Sequence, residues 1–136
     1  MKAIISKENL NDRIRVDSAG TGGWHAGELP DARMREHAKK RGVILDSYAR
    51  QFDANSDFEK FDYIVVMDDE NRKEILAKDL KKAYLKKIFK MTDFKRKIND
   101  SNVPDPYYGG EEGFEKVLDI VEDCSFGLIE HIKKEI

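Results

Sequence analysis

The chain has 136 residues, of which 40% are hydrophobic and 38% are charged, and its formal net charge is -2. This length fits a single domain, residues 1–136. The near balance of 25 basic and 27 acidic residues argues against a basic nucleic-acid-binding protein. No apolar run approaches the roughly 20 residues of a membrane span. The single cysteine, Cys124, cannot form an internal disulfide, so we expect a reducing, cytoplasmic environment.

The first half of the chain alternates helical and strand patterns. Residues 1–10 carry apolar side chains at helical spacing, and residues 13–18 have the alternation of a short strand. A glycine-rich loop follows at 18–23. Helices are predicted at 30–42, where Pro and Asp open the segment and Gly ends it, and from 56–59, which has the spacing of a capping box.

The second half contains the strongest strand pattern. Residues 63–67 form a continuous apolar run with β-branched residues at its centre, which is typical of a parallel strand covered on both faces. A helix is predicted over 68–80, with Leu80 facing inward, and a strand at 88–91. Residues 93–113 are predicted as a long loop, which suggests a functional role, and a helix follows over 114–134. Helices that alternate with short apolar strands indicate an α/β fold with a parallel sheet.

One segment of the long loop has a composition that favours chemistry. Pro104 and Pro106 bracket Asp105, and each proline restricts its own φ and the geometry of the residue before it. Tyr107 and Tyr108 follow, so a rigid carboxylate stands beside two aromatic rings, as general acid catalysis on an aromatic substrate requires. A proline-rich turn with a solvated carboxylate explains the same spacing, and spacing alone favours that turn.

Other reactive side chains fit structural roles better. Cys124 lies on the apolar stripe of the last predicted helix beside Asp123, where a nucleophilic thiolate is disfavoured, so we predict a small buried side chain. The three histidines lack metal-ligand spacing among themselves and with Cys124, so a zinc site is not expected. Asp17 and Ser18 close the first predicted strand, at the carboxyl end where doubly wound sheets bind ligands, although an ordinary turn also explains them.

With these residues identified, the sequence resembles a low-molecular-weight protein tyrosine phosphatase. The resemblance covers almost the whole chain and is carried by residues 15–21, 49–51, 61–68 and 105–109. It implies a flavodoxin-like parallel sheet with flanking helices. It also implies hydrolysis of phosphotyrosine, in a protein or a small aryl phosphate, through a cysteinyl-phosphate intermediate and without a cofactor.

The resemblance assigns roles residue by residue. Asp105 matches the general acid that protonates the leaving phenolate. Trp24, Tyr107 and Tyr108 match the aromatic walls of the substrate pocket. Ser18 matches the serine that supports the phosphate-binding loop.

The sequence departs from the family at its signature of Cys, five residues and Arg. The residue six positions after Cys124 is Glu130, and no other cysteine is available. We therefore expect an N-terminally truncated domain whose sheet lacks the family's first central strand and phosphate-binding loop. As written, the chain should be inactive, less stable than its relatives and prone to self-association. The alternative is a non-catalytic binding or regulatory short form that pairs with itself or with an intact copy.

Overall fold

The computed structural model describes residues 1–23, 26–105 and 110–136. Its regular elements, in chain order, are α1 (Lys2–Lys7), α2 (Ala32–Lys40), α3 (Asp57–Lys60), β1 (Ile64–Val66), α4 (Asp69–Lys78), β2 (Ile88–Lys90) and α5 (Gly110–Glu135). Two 3-10 turns, Leu85–Lys87 and Met91–Phe94, flank β2. None of the helices in these ranges is long and apolar enough to cross a membrane.

The sheet of the described residues consists of β1 and β2, which pair in parallel with Ile64 opposite Ile88 and Val66 opposite Lys90. The α/β class with a parallel sheet and flanking helices is therefore confirmed. The predicted strand at 13–18 is wrong, because no neighbouring strand offers this segment backbone partners. Among the described residues, the strand-like pairing of this region lies beyond the segment, in an isolated parallel bridge between Gly20 and Gln51.

Helix α5 supplies the largest share of the core. Its apolar stripe buries seven hydrophobic side chains: Phe114, Val117, Ile120, Cys124, Leu128, Ile129 and Ile132. The cluster built on this stripe contacts Ile14, which precedes the glycine-rich loop, and Val65 in the middle of β1. The helix therefore forms one platform under both segments. Ile64 and Val66 point to the other face of the sheet and pack in a second cluster with Phe58 and Ile75.

Three element boundaries differ from the sequence predictions. Helix α5 begins at Gly110, so the long loop is shorter than the pattern of 93–113 indicated. Helix α4 ends at Lys78, which leaves Leu80 beyond the helix with 89% of its surface exposed rather than facing inward. Ser56 makes no capping bond and its hydroxyl instead donates to Asp53, so the predicted capping box does not form.

Candidate functional site

The loop that carries Asp105 is attached to the carboxyl end of β1. The Val103 N–H donates to the carbonyl of Met67, which directly follows β1, at 2.8 Å. The Asn102 side chain accepts from the Asp69 N–H at 3.0 Å. Val103 is buried and Asp105, two residues later, is exposed, so the loop leaves the core between these two residues. This edge of a parallel sheet is where α/β proteins place their ligands.

A second hydrogen bond attaches the same loop to Thr92, which follows β2. The Thr92 hydroxyl donates to the carbonyl of Ser101 at 2.7 Å, and Thr92 is buried. Asp68 accepts from the Asn71 N–H at 2.7 Å and is the N-cap of α4. The end of β1, the start of α4 and the Asp105 loop therefore share one hydrogen-bonded edge.

Ser18 lies in a loop that is fastened to residues 49–52. The Asp17 carboxylate accepts from the Ser18 N–H at 2.8 Å. Further along, the Gly20 N–H donates to the Arg50 carbonyl and the Gly20 carbonyl accepts from the Phe52 N–H, each at 2.8 Å. The backbone of Gly20 is thus held on both sides, so the loop has a defined position relative to Arg50.

Arg50 joins this loop to the buried Asp57. Its guanidinium donates to both Asp57 oxygens, at 2.8 and 3.2 Å, and to Asp17 at 3.1 Å. Hydrogen bonding to Asp57 raises the pKa of Arg50. Burial by itself would raise the pKa of Asp57, but hydrogen bonds from Arg50 and the Asp53 N–H outweigh it and lower that pKa. The site therefore contains an arginine that is permanently charged and committed to two carboxylates.

The Arg50 and Asp57 pair is the feature that reasoning from residue patterns missed. In the sequence, Arg50 was singled out only as part of the segment 49–51, which carries the family resemblance. Asp57 fell in a predicted helix start and received no role. A seven-residue separation between Arg and Asp has no recognisable local signature, since the pair forms across a turn and not along one helix face.

Two of the sequence-predicted residues lie near the carboxyl end of β1. Ser18 lines two adjoining cavities with Met67, at the carboxyl end of β1. Asp105 is linked to Met67 through Val103, so Ser18 and Asp105 both belong to this edge of the sheet, although Asp105 is not among the lining residues. Trp24, Tyr107 and Tyr108, the residues matched to the aromatic walls, lie outside the described residues.

Cys124 is a core residue. It is fully buried on α5, and burial raises the pKa of its thiol to about 11, with the Asp123 carboxylate acting in the same direction. The thiol is therefore protonated at neutral pH and cannot serve as a nucleophile from this position. His37 contacts Glu115 and stacks on Phe114, which is a structural arrangement. Over the ranges that the structure describes, no group of three potential metal ligands occurs.

Comparisons with known proteins agree with this fold. The model of the family described as low molecular weight phosphotyrosine protein phosphatase matches residues 1–136. The chain is 44% identical over 136 residues to a putative low molecular weight protein-tyrosine-phosphatase of Synechocystis, which spans 100% of this chain and 86% of that protein. It is 36% identical over 137 residues to a low molecular weight protein-tyrosine-phosphatase of Streptomyces coelicolor. That match covers 99% of this chain and 83% of the relative.

A solved structure shows the same architecture. The protein tyrosine phosphatase of Entamoeba histolytica, crystallised with Hepes in its active site, matches with a TM-score of 0.94 and 44% identity. The match covers 98% of this chain and 85% of that one. The fold is thus an α/β phosphatase fold. More specifically, the chain belongs to the low molecular weight phosphotyrosine protein phosphatase family.

Proposed function

We propose that this chain carries the proton-donating and substrate-facing side of a phosphotyrosine phosphatase site. In this proposal Asp105 protonates the leaving phenolate and then activates the hydrolytic water. Trp24, Tyr107 and Tyr108 contact the substrate ring, and Ser18 supports the phosphate-binding loop. Family membership supports these assignments, together with the hydrogen bond from Val103 to Met67 that holds the Asp105 loop at the carboxyl edge of the sheet.

We further propose that these 136 residues alone do not catalyse hydrolysis. The reaction needs a thiolate that attacks phosphorus and an arginine that binds the phosphoryl oxygens. Within these residues the family's Cys-x5-Arg motif has no counterpart, since Cys124 is the only cysteine and Glu130 stands six positions after it. The burial and raised pKa of the Cys124 thiol support the same conclusion.

Hydrolysis of p-nitrophenyl phosphate tests both parts of this proposal. The chain of 136 residues should release nitrophenolate no faster than buffer. A fusion that adds an apolar strand and a Cys-x5-Arg-Ser segment ahead of Met1 should hydrolyse the ester. In that fusion, Asp105→Asn should lower kcat by about 10²–10⁴-fold. Asp46→Asn, at another exposed carboxylate, is the matched control and should leave kcat unchanged.

Two results would contradict the proposal. The first is turnover by the chain of 136 residues that Cys124→Ser abolishes, which would make the buried thiol the nucleophile. The second is an active fusion in which Asp105→Asn and Asp46→Asn have the same kcat, which would remove Asp105 from proton transfer.

The burial of the only cysteine also favours a second candidate function, a non-catalytic module that binds tyrosine-containing partners or a second copy of the chain. A phosphotyrosine peptide with a non-hydrolysable phosphonate should then bind the chain of 136 residues. Equilibrium sedimentation would report self-association. An inactive chain that neither binds this peptide nor self-associates would exclude the second function.

A further inference from the structure

Residues 78–87, which run from the last residue of α4 to the start of β2, concentrate positive charge. This segment, called the basic loop below, contains five lysines and one aspartate, a net charge of +4. The whole chain carries -2, so the rest of the chain carries -6. Such a separation of charge orients a protein toward an anionic surface, because the acidic remainder is repelled from that surface.

The basic loop is anchored at its base. Asp79 is 5% exposed, and its carboxylate accepts from the N–H groups of Ala83 and Tyr84, each at 3.0 Å. The Tyr84 ring stacks on Phe58 of the second core cluster, with centroids 5.0 Å apart. Lys87 donates to the Phe58 carbonyl at 2.8 Å. The loop therefore holds its remaining side chains in a defined position on the protein surface.

A turn at the tip of the loop projects an apolar side chain into solvent. The Lys82 N–H donates to the Asp79 carbonyl at 3.0 Å, which places Leu80 and Lys81 at the two central positions of a turn. Leu80 is 89% exposed, and Leu85 in the same loop is 49% exposed. Lys82 has a φ of 52°, a left-handed conformation that is uncommon for lysine. The loop thus presents leucine and lysine side chains together.

Most lysines of the basic loop are not neutralised within the protein. Four ammonium groups make no hydrogen bond or ion pair with a described residue: those of Lys78, Lys81, Lys82 and Lys86. Of the acidic side chains near them, Asp79 binds backbone N–H groups and Glu59 accepts from the Tyr84 hydroxyl at 3.3 Å. Lys78 also complements the dipole at the carboxyl end of α4, whereas the other three lysines have no such role.

We propose that the basic loop binds the surface of an anionic lipid bilayer, with Leu80 inserted among the acyl chains and the lysines at the head groups. Clusters of four or more lysines beside apolar side chains are typical of segments that bind acidic phospholipids. A bilayer accepts a projecting leucine in any orientation. A folded acidic protein needs a matching pocket for it, and the phosphate backbone of a nucleic acid offers it no apolar contact.

The topology places this contact away from the proposed catalytic edge. Helix α4 begins after the carboxyl end of β1 and runs for ten residues, about 15 Å, back to the end of the sheet where β2 begins. The Asp105 loop is attached at the carboxyl end. A molecule bound through the basic loop therefore keeps that edge open to solvent. This inference goes beyond the proposed phosphatase chemistry, because the contact uses no residue of that site.

Co-sedimentation with vesicles tests this proposal without an activity assay. Vesicles of phosphatidylcholine with one-third phosphatidylserine should bind the chain, and vesicles of phosphatidylcholine alone should not. Salt at about 1 M should weaken binding by about tenfold or more, because it screens the lysines from the head groups. The double variant Lys81→Gln, Lys82→Gln should lose affinity by about 25-fold, since each lysine at an anionic surface contributes about fivefold.

Matched variants separate the loop from general effects of charge and apolar surface. The double variant Lys39→Gln, Lys40→Gln removes the same charge at two adjacent exposed lysines of α2 and should bind as the wild type does. Leu80→Ser should weaken binding by about tenfold or more. Ile44→Ser, at a residue that is 68% exposed outside the loop, should not. Thermal unfolding verifies that each variant is folded, as expected for substitutions of exposed side chains.

Insertion of the leucine position can be measured separately. In Leu80→Cys, an environment-sensitive fluorophore can be attached to the new thiol, because Cys124 is buried. Its fluorescence should rise when anionic vesicles are added and stay unchanged with phosphatidylcholine alone.

Several outcomes would overturn the proposal. These are no binding to anionic vesicles, equal losses in the two double-lysine variants, equal affinity of Leu80→Ser and the wild type, or a fluorophore that does not respond. Tighter binding to polyglutamate or to single-stranded RNA than to anionic vesicles at the same salt would assign the basic loop to an acidic protein or a nucleic acid instead. None of these results depends on hydrolysis, so they are separable from failure of the proposed phosphatase role.

Discussion

Arg50 holds the carboxylate of Asp57 by two hydrogen bonds, of 2.8 and 3.2 Å, while the Asp57 side chain is only 5% exposed. The pair fixes the segment 49–52, which in turn positions the glycine-rich loop through Gly20. The geometry of the loop near Ser18 therefore depends on an ion pair that takes no part in the proposed chemistry.

Replacing Arg50 by Gln should destabilise the protein. The variant leaves the Asp57 carboxylate buried without its cation, and loss of one partner of a fully buried pair costs roughly 3–5 kcal/mol. Since Arg50 is partly exposed, we expect about 2 kcal/mol in urea unfolding. The control is Lys133→Gln, which breaks the exposed pair of Lys133 with Glu8 and should cost under about 0.5 kcal/mol. Equal losses in the two variants would contradict this prediction.

Gly127→Ala should also be destabilising, although alanine is the better helix former. A Cβ at Gly127 would stand 1.8 Å from the carbonyl oxygen of Phe94, so helix α5 or the 3-10 turn must move. Overpacking of this kind costs about 1–3 kcal/mol, which outweighs the helix propensity of alanine. Thermal unfolding measures the change. At Gly20 the nearest atoms to an added Cβ lie at 3.6 and 3.9 Å, so Gly20→Ala should cause a smaller loss.

Asp123 should make stability depend on pH. Burial opposes the charge on Asp123, but backbone N–H groups of Arg96, Lys97 and Ile98 outweigh burial and lower its pKa from the usual 3.8. The folded pKa is below the unfolded one, so this contribution is complete above the unfolded value and is lost as the pH falls through the folded value. Asp123→Asn should cost about 1–2 kcal/mol at neutral pH.

The pH series distinguishes this linkage from a packing effect. The difference in unfolding free energy between the wild type and Asp123→Asn should shrink as the pH falls from about 5 toward about 2, because the wild-type carboxyl becomes protonated. Asp46→Asn, at an exposed carboxylate, should show a small difference throughout. A wild-type advantage over Asp123→Asn that is constant across the series would refute the electrostatic explanation.

Cys124 should resist alkylation in the folded protein. A pKa of about 11 leaves roughly 10²-fold less thiolate at neutral pH than a free cysteine has, and burial limits access further. Iodoacetamide labelling followed by mass spectrometry should be more than about 10²-fold slower in buffer than in denaturing urea. Comparable rates in the two solvents would place the thiol at the surface. Cys124 would then again be a candidate nucleophile.

Elements with their own periodic signal were predicted well from the sequence. The run Tyr63–Met67 is β-branched and continuously apolar, and the structure places β1 inside it. The stripe from Val117 to Ile132 has a helical period, and α5 follows it beyond the predicted start. In both cases the burial pattern lies within a single segment, on one face of the helix or on both faces of the strand. The local sequence is therefore enough to predict the element.

Features that depend on distant partners could not be predicted in this way. Ile14 and Val16 alternate as in a strand, yet strand formation requires a neighbouring backbone that the local pattern does not specify. The same limit applies to Arg50 and Asp57, which meet only once the chain turns. Asp105 stood out because two prolines mark it in sequence, but its anchoring through Val103 to Met67 depends on the position of β1.

Packing on helix α5 should couple the unfolding of two segments that lie on it. Ile14 and Val65 pack against the same buried cluster, which is built on this helix, although no backbone hydrogen bond joins their two segments within the described ranges. The distance between Ile14 and Val65 is therefore set by α5 and not by attraction between their two segments. Warming that frays α5 should loosen both segments together. The amide protons of the two segments should therefore show the same temperature dependence of hydrogen exchange.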